Sequence, residues 1–152
     1  MPSQIKVDEI KNVAGQYEIK TDTFKGQTTA GSITVQGEGT ATTNLQQGVA
    51  KCWTLWDAAS TPAHRDSFNA GSITDHGTGE QTIAFTNIMA SANFTTSGQA
   101  GGGNNSDSSN AQIRRAASTS AGQRCTICYA SGGTTNFYDY GYCSLLIHGD
   151  LA

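Results

Sequence analysis

The most regular hydrophobic–polar alternation along the chain begins at Ala50. In Ala50-Lys51-Cys52-Trp53-Thr54-Leu55-Trp56 the period is two. It predicts a strand with Trp53 and Leu55 on one face and Cys52 and Trp56 on the other. Ser72-Ile73-Thr74 runs into Asp75-His76-Gly77-Thr78-Gly79, a turn signal. Gln81 to Ile88 then alternates again, with Ile83 and Phe85 opposed to Thr82, Ala84 and Thr86. This is the clearest strand–turn–strand unit in the chain. Asn93 to Thr96 extends the sheet, and Ile113 to Arg115, Arg124 to Tyr129 and Tyr138 to His148 are three further strands. On the last, Cys143, Leu145 and Ile147 share one face; Tyr140, Tyr142, Ser144 and Leu146 share the other. Pro62 and the polar run to Asn69 read as a loop, and Gly98 to Ser109 as a long mobile one.

The chain before Gly48 has a different texture. Met1 to Lys25 carries Ile5, Val7, Ile10, Val13, Tyr17, Ile19 and Phe24 among eight charged residues balanced four against four. Tyr17 to Thr23 alternates as a strand does, whereas Val7 to Val13 fits a short helix or a second strand equally. So few apolar side chains cannot close a core, so this segment orders by packing on a partner or on its own copies. Gln27 to Gln47 is rich in Thr, Gly and Gln, with one alternation at Ile33 and Val35. The division predicted is therefore an arm over 1–25, a stalk or intertwined strands over 26–47, and a β head over 48–152. An echo links two of these parts: Ala30-Gly31-Ser32-Ile33-Thr34 with Gly37 and Gly39 recurs, forty residues on, as Ala70-Gly71-Ser72-Ile73-Thr74 with Gly77 and Gly79. A duplicated hairpin and chance in a Gly/Thr-rich chain explain it about equally well.

Composition sharpens this picture. Of 152 residues nearly half are Gly, Ser, Thr, Asn or Gln, and only about one in six is Leu, Ile, Val or Phe. Thr, Gly and Asn in excess with few Leu argue against a helical bundle, because these three are poor helix formers. A net charge of −3 excludes a polycation for nucleic acid, and no apolar run is long enough for a membrane helix. All five lysines lie at or before Lys51 and all four arginines at or after Arg65. The core one copy can build is thin, which favours association of copies. No secretory signal is visible at the N-terminus, so synthesis in a reducing cytosol is expected, with Cys52, Cys125, Cys128 and Cys143 as free thiols.

Candidate chemistry is sparse. Cys125-Thr126-Ile127-Cys128 has zinc-knuckle spacing, but Ile127 and Tyr129 favour a strand, where positions three apart face opposite sides. Ordinary buried thiols are the expectation, and no metal or cofactor is expected. His64-Arg65-Asp66-Ser67 carries triad residue types without a nucleophile elbow, and the acids of the head sit in turns, so no catalytic centre is expected. The cluster Phe137-Tyr138-Asp139-Tyr140-Gly141-Tyr142 is of more interest. Tyrosine offers a flat apolar face and a hydroxyl, suited to stacking on sugar rings and equally to bridging subunits. Tyr138, Asp139 and Tyr140, with Asn104 and Asn105 of the Gly98–Ser109 loop, are the candidate contacts to a host ligand.

Several motifs in order resemble those of tail-fibre-like virion proteins of marine bacteriophages, of the cyanophage and pelagiphage type. They are Gly48-Val49-Ala50-Lys51-Cys52-Trp53, Arg65-Asp66-Ser67-Phe68-Asn69, Ser72 to Gly79, Ala84-Phe85-Thr86-Asn87-Ile88-Met89 and Asn93-Phe94. The family shows "AKAW", "R-x-S-x-N", "SITDNGTG", "FT-x-x-M" and "ANY" in the same order, and Ile5-Lys6-Val7-Asp8-Glu9-Ile10 resembles its opening. The family's usual last strand, near "VNVAIF", is replaced by Tyr142-Cys143-Ser144-Leu145-Leu146-Ile147, and the loop 98–110 has no counterpart. The resemblance implies a non-enzymatic virion structural protein, made in the host cytoplasm: a homotrimer with a jelly-roll-like β-sandwich head and an extended N-terminal arm. The arm, through Ile5, Val7, Ile10, Val13, Tyr17 and Ile19, would dock on tail, portal or capsid proteins, while the head meets host surface glycan. A capsid decoration or head-fibre protein is the alternative, and a glycan-degrading tail enzyme is less favoured. Neither nucleic acid nor membrane is an expected partner.

Overall fold

The alternation in Cys52 to Asp57 becomes one wall strand of a curled, antiparallel sheet. The computed structural model describes residues 22–25, 33–36, 39–102 and 111–152. Its elements are β1 (Thr34–Gln36), β2 (Thr42–Asn44), the helical turn α1 (Leu45–Gly48), β3 (Cys52–Asp57), β4 (Ala63–Phe68), β5 (Ala70–Asp75), β6 (Glu80–Phe85), β7 (Thr95–Gly101), β8 (Ala111–Thr119), β9 (Gly122–Ser131), β10 (Thr134–Phe137) and β11 (Tyr142–His148). The all-β expectation holds.

β1 and β2 form a separate two-stranded sheet. The other nine strands form one sheet in the order β4-β3-β11-β7-β8-β9-β6-β5, with β10 pairing β9. The two ends of that order, β4 and β5, are separated in sequence by Asn69 alone and come together, so the sheet is a nearly closed barrel. Asn69 makes the corner. It holds φ 56°, a left-handed conformation that Asn tolerates better than most residues. Its Nδ2 donates to Lys51 O (2.9 Å) and Asn87 O (3.0 Å), and its Oδ1 accepts from Asn87 N (2.6 Å). Nearby, His64 Nε2 meets Gly71 O at 3.1 Å, bridging β4 to β5. A carbonyl only accepts, so Nε2 carries the proton, and in the neutral ring Nδ1 accepts from the Thr54 hydroxyl at 2.6 Å.

Inside the barrel sit Trp56, Ile83, Ile127, Leu145 and Ile147, with Cys52, Cys125 and Cys143. Burying each large aliphatic or aromatic side chain contributes roughly 1.5–3 kcal/mol. Phe85 and Phe94 close one part of the core edge to face, centroids 5.6 Å apart. The interior is not wholly apolar. Trp56 Nε1 donates to buried Gln81 Oε1 (2.6 Å), and buried Gln123 accepts from Ser118 Oγ while donating to Ala117 O. Gln81 Nε2 has no hydrogen-bond partner among the described residues. The wall is thinnest between β7 and β8, joined by the single described ladder pair Gln99–Gln112. Just beyond it the Arg115 guanidinium donates to Phe94 O (2.9 Å) and Ala92 O (2.7 Å), tying β8 to the segment before β7.

Four sequence expectations change. The polar run expected as a loop up to Asn69 contains β4, an edge strand held by its ladder to β3. The loop expected from Gly98 gives up Gly98 to Gly101 to β7, whose ladder to β11 does not depend on side chains. The last strand starts at Tyr142, not Tyr138, because 138–141 crosses the barrel end. β10 was not foreseen: it is a short polar return after the Gly132-Gly133 turn. The second copy of the echo lies in the β5–β6 hairpin; of the first only Ile33, Thr34 and Gly39 are described, with Thr34 in the β1–β2 hairpin, whose register is two residues away from that of β5–β6. The strand expected from Tyr17 and the alternatives for Val7 to Val13 fall outside the described residues or at their margin.

Candidate functional site

The tyrosine segment is fixed by its backbone. Tyr138 N donates to Ile127 O (3.2 Å), and Ala58 N donates to Tyr140 O (2.9 Å). Asp139 Oδ1 accepts from Gly79 N (2.7 Å). Arg65 donates from Nε and Nη2 to Gly141 O (3.3 and 3.1 Å), pairs with Asp57 at 2.6 Å and lies 4.4 Å over the Tyr142 ring. Segment 138–141 thus crosses from β9 to the end of β3 with a contact at every residue. Its side chains divide. Tyr140, expected on the outward face with Tyr142, is 5% exposed and belongs to the core, because it precedes the strand and turns in beneath the crossing. Tyr138 is 53% exposed with its ring 5.0 Å from Tyr140, and Phe137 is equally open. Of the candidate contacts, then, Tyr138 presents an open ring, Asp139 is engaged with Gly79, and Tyr140 is core. Asn104 and Asn105 lie outside the described residues, as do Ile5, Val7, Ile10, Val13, Tyr17 and Ile19.

From Tyr142 a second surface runs along the outer face of the sheet. An open groove of about 550 Å³ lies over β3, β11 and β7, bordered by Trp53, Leu55, Ser97, Gln99, Ser144 and Leu146. A smaller depression of about 260 Å³ continues it past Leu55 and Gln99 to Tyr142. Phe68 of β4 stands beside Trp53 in the ladder. Trp53 and Leu55, and Tyr142 with Leu146, are the residues that alternation places opposite the core-facing cysteines. The signal for this face was therefore in the period-two pattern, as apolar residues on both sides of one strand.

The chain matches no protein-family model, no curated protein and no solved structure.

The remaining motifs do not assemble chemistry. Cys125 points into the core and Cys128 is buried on the other face of β9, so the two sulfurs do not converge. All four cysteines are free and buried. Burial pushes the Cys52 thiol up to about 11 and that of Cys125 to about 12. For Cys143, also about 12, burial is the main cause, and the carboxylates of Asp139 and Asp57 add to it. The triad residue types separate: His64 serves Thr54, Arg65 serves Asp57, and Asp66 accepts from the Ser67 backbone N (2.8 Å). Asp75 accepts from Gly77 N, and Glu80 pairs with Arg124 at 2.9 Å. No group of three metal-ligating side chains occurs among the described residues.

Proposed function

We propose that this chain is a non-enzymatic virion structural protein of a bacteriophage, a tail fibre or tail appendage that touches the host surface. In this reading residues 48–152 are the jelly-roll-like β-sandwich head of a homotrimer, the curled sheet supplying its two layers, and 26–47 form the stalk. The arm of 1–25 docks on other virion proteins. The observation that carries the reading is the separateness of the two sheets. Among the described residues β1 and β2 pair with each other and with no strand of the barrel, so no described strand before β3 contributes a rung to it. A nearly closed, polar, turn-rich barrel carried behind a short charged segment suits a head displayed on a particle. Open rings at Phe137 and Tyr138 on a braced segment offer stacking surface for a host glycan.

Deleting 1–25 tests the division: the remainder is expected to be soluble and folded and to be missing from particles. A deletion that unfolds the head overturns it. Immunogold labelling of virions decides location, with label on the tail expected. Label confined to the capsid would instead assign the chain to particle decoration.

A further inference from the structure

We infer that the outer face of β4, β3, β11 and β7 is the surface on which a second copy of this chain packs. The inference rests on the homotrimer reading above and gives that contact its place. Ladder registry sets Phe68, Trp53 and Leu146 side by side in one row across three strands. Leu55 stands in the next row on β3, and Tyr142 at the end of β11. The exposures are 52% for Phe68, 36% for Trp53, 39% for Leu146 and 47% for Tyr142. The groove between them is bordered by Ser97, Gln99 and Ser144, none charged, while Asp66, beside Leu55 in the ladder, and the Arg65–Asp57 pair, with Arg65 over the Tyr142 ring, place charge at the Tyr142 end of the face.

A neutral, apolar centre with charge kept to one side is the composition of a protein–protein contact. Four strands about 4.8 Å apart with six or seven residues at about 3.4 Å rise give a face of roughly 19 by 22 Å. That flat footprint of about 420 Å² is about half of the roughly 800 Å² each partner contributes to a stable interface, and the relief of the projecting Phe68, Trp53, Leu146 and Tyr142 side chains adds to it. A second copy needs no charge complement. Around a threefold axis one face suffices, because its Phe68–Trp53 half meets the Leu146–Tyr142 half of the next copy.

The test uses the full chain in size-exclusion chromatography with light scattering. The native protein is expected to run as three chains, and Phe68→Lys and Leu146→Lys as single folded chains by circular dichroism. Ile88→Lys, exposed but off this face, is expected to stay at three. A single-chain mass for the native protein overturns both the trimer reading and this inference. A native trimer that survives both substitutions overturns the inference alone, as does a surviving trimer that has lost binding to host polysaccharide. A native dimer split by them keeps the face and overturns the threefold arrangement. Should the lysine variants fail to fold, Ser144→Cys supplies the answer, since the native thiols are buried. Labelling by a bulky maleimide is expected to be at least about tenfold slower in the assembled protein than in denaturant. Equal rates overturn the inference.

Discussion

Gly79 occupies a notch that admits no side chain. Its φ is +71°, and a Cβ there would stand 2.6 Å from Ile127 O, 2.8 Å from Phe137 Cβ and 2.9 Å from Tyr138 N. Two of these are backbone atoms of a braced segment, which cannot give way cheaply. Gly79→Ala is expected to lower stability by about 3 kcal/mol in denaturant unfolding. Gly133→Ala, also at positive φ but facing open space, is expected to cost only about 1 kcal/mol. The thiols give a second prediction. Cys52, Cys125 and Cys143 titrate well above their ordinary value of 9.0 in the folded chain. Their stabilisation is therefore complete below pH 9 and is lost as pH rises toward the folded values, because the unfolded chain sheds these protons first. From pH 8 to pH 10 the loss is about 1.4 kcal/mol per thiol, and it reads out as a falling urea midpoint. At this scale the sequence was partly legible. The faces of Cys52, Trp56, Ile83, Cys143 and Ile147 follow from alternation. Tyr140 does not, since a residue outside the strand has no phase.

The barrel's closure depends on one corner. Asn69 joins the two ends of the strand order and ties together the start of β3 and the exit of β6 through three hydrogen bonds. Asn69→Ala leaves the carbonyl of buried Lys51 and both backbone groups of exposed Asn87 without this partner and keeps a left-handed φ. It is expected to cost about 2–4 kcal/mol. Asn69→Gly relieves the φ alone and should recover part of that loss; equal losses would mean the hydrogen bonds carry all of it. Calorimetry of the three proteins separates these contributions. β4 shows why strand assignment from sequence fails at edges. Apart from Ala63 and Phe68 its side chains are polar, and most are exposed, so no burial imprints a period on it. The Gly-rich half of β7 fails similarly: its place between β11 and β8 comes from backbone ladders, which leave no mark on side-chain type. β3, β6, β9 and β11 each carry a buried face, and each was visible.

The whole molecule combines a thin core with a broad exposed apolar wall. Several interior positions are Thr, Gln or Cys rather than large aliphatics. If copies supply the missing burial, as proposed, unfolding is coupled to dissociation, and Tm should fall by a few degrees on hundredfold dilution. A Tm independent of concentration in scanning fluorimetry would mean that each barrel stands alone. The groove on that wall was legible only in part. The outward residues followed from the pattern, but their assembly into one row required the registry of β4, β3 and β11, which no local pattern encodes.

That registry also sets the order of events during synthesis. β3 is the first strand of the barrel and β11 the last, yet they are neighbours, Cys52 opposite Ile147. Until β11 has left the ribosome, β3 lacks one partner and the barrel has an open side about a hundred residues of chain wide. Such non-local pairing makes folding slow and leaves apolar edges exposed to like chains meanwhile. The same adjacency offers a remedy. A chain opened between Gly132 and Gly133, with His148 joined to Lys51 by a short linker, keeps every ladder of the nine-stranded sheet, loses the Met89–Leu151 bridge and the β1–β2 sheet, and makes the β3–β11 pair local. In stopped-flow refolding this permutant should reach the native state faster than the natural chain order.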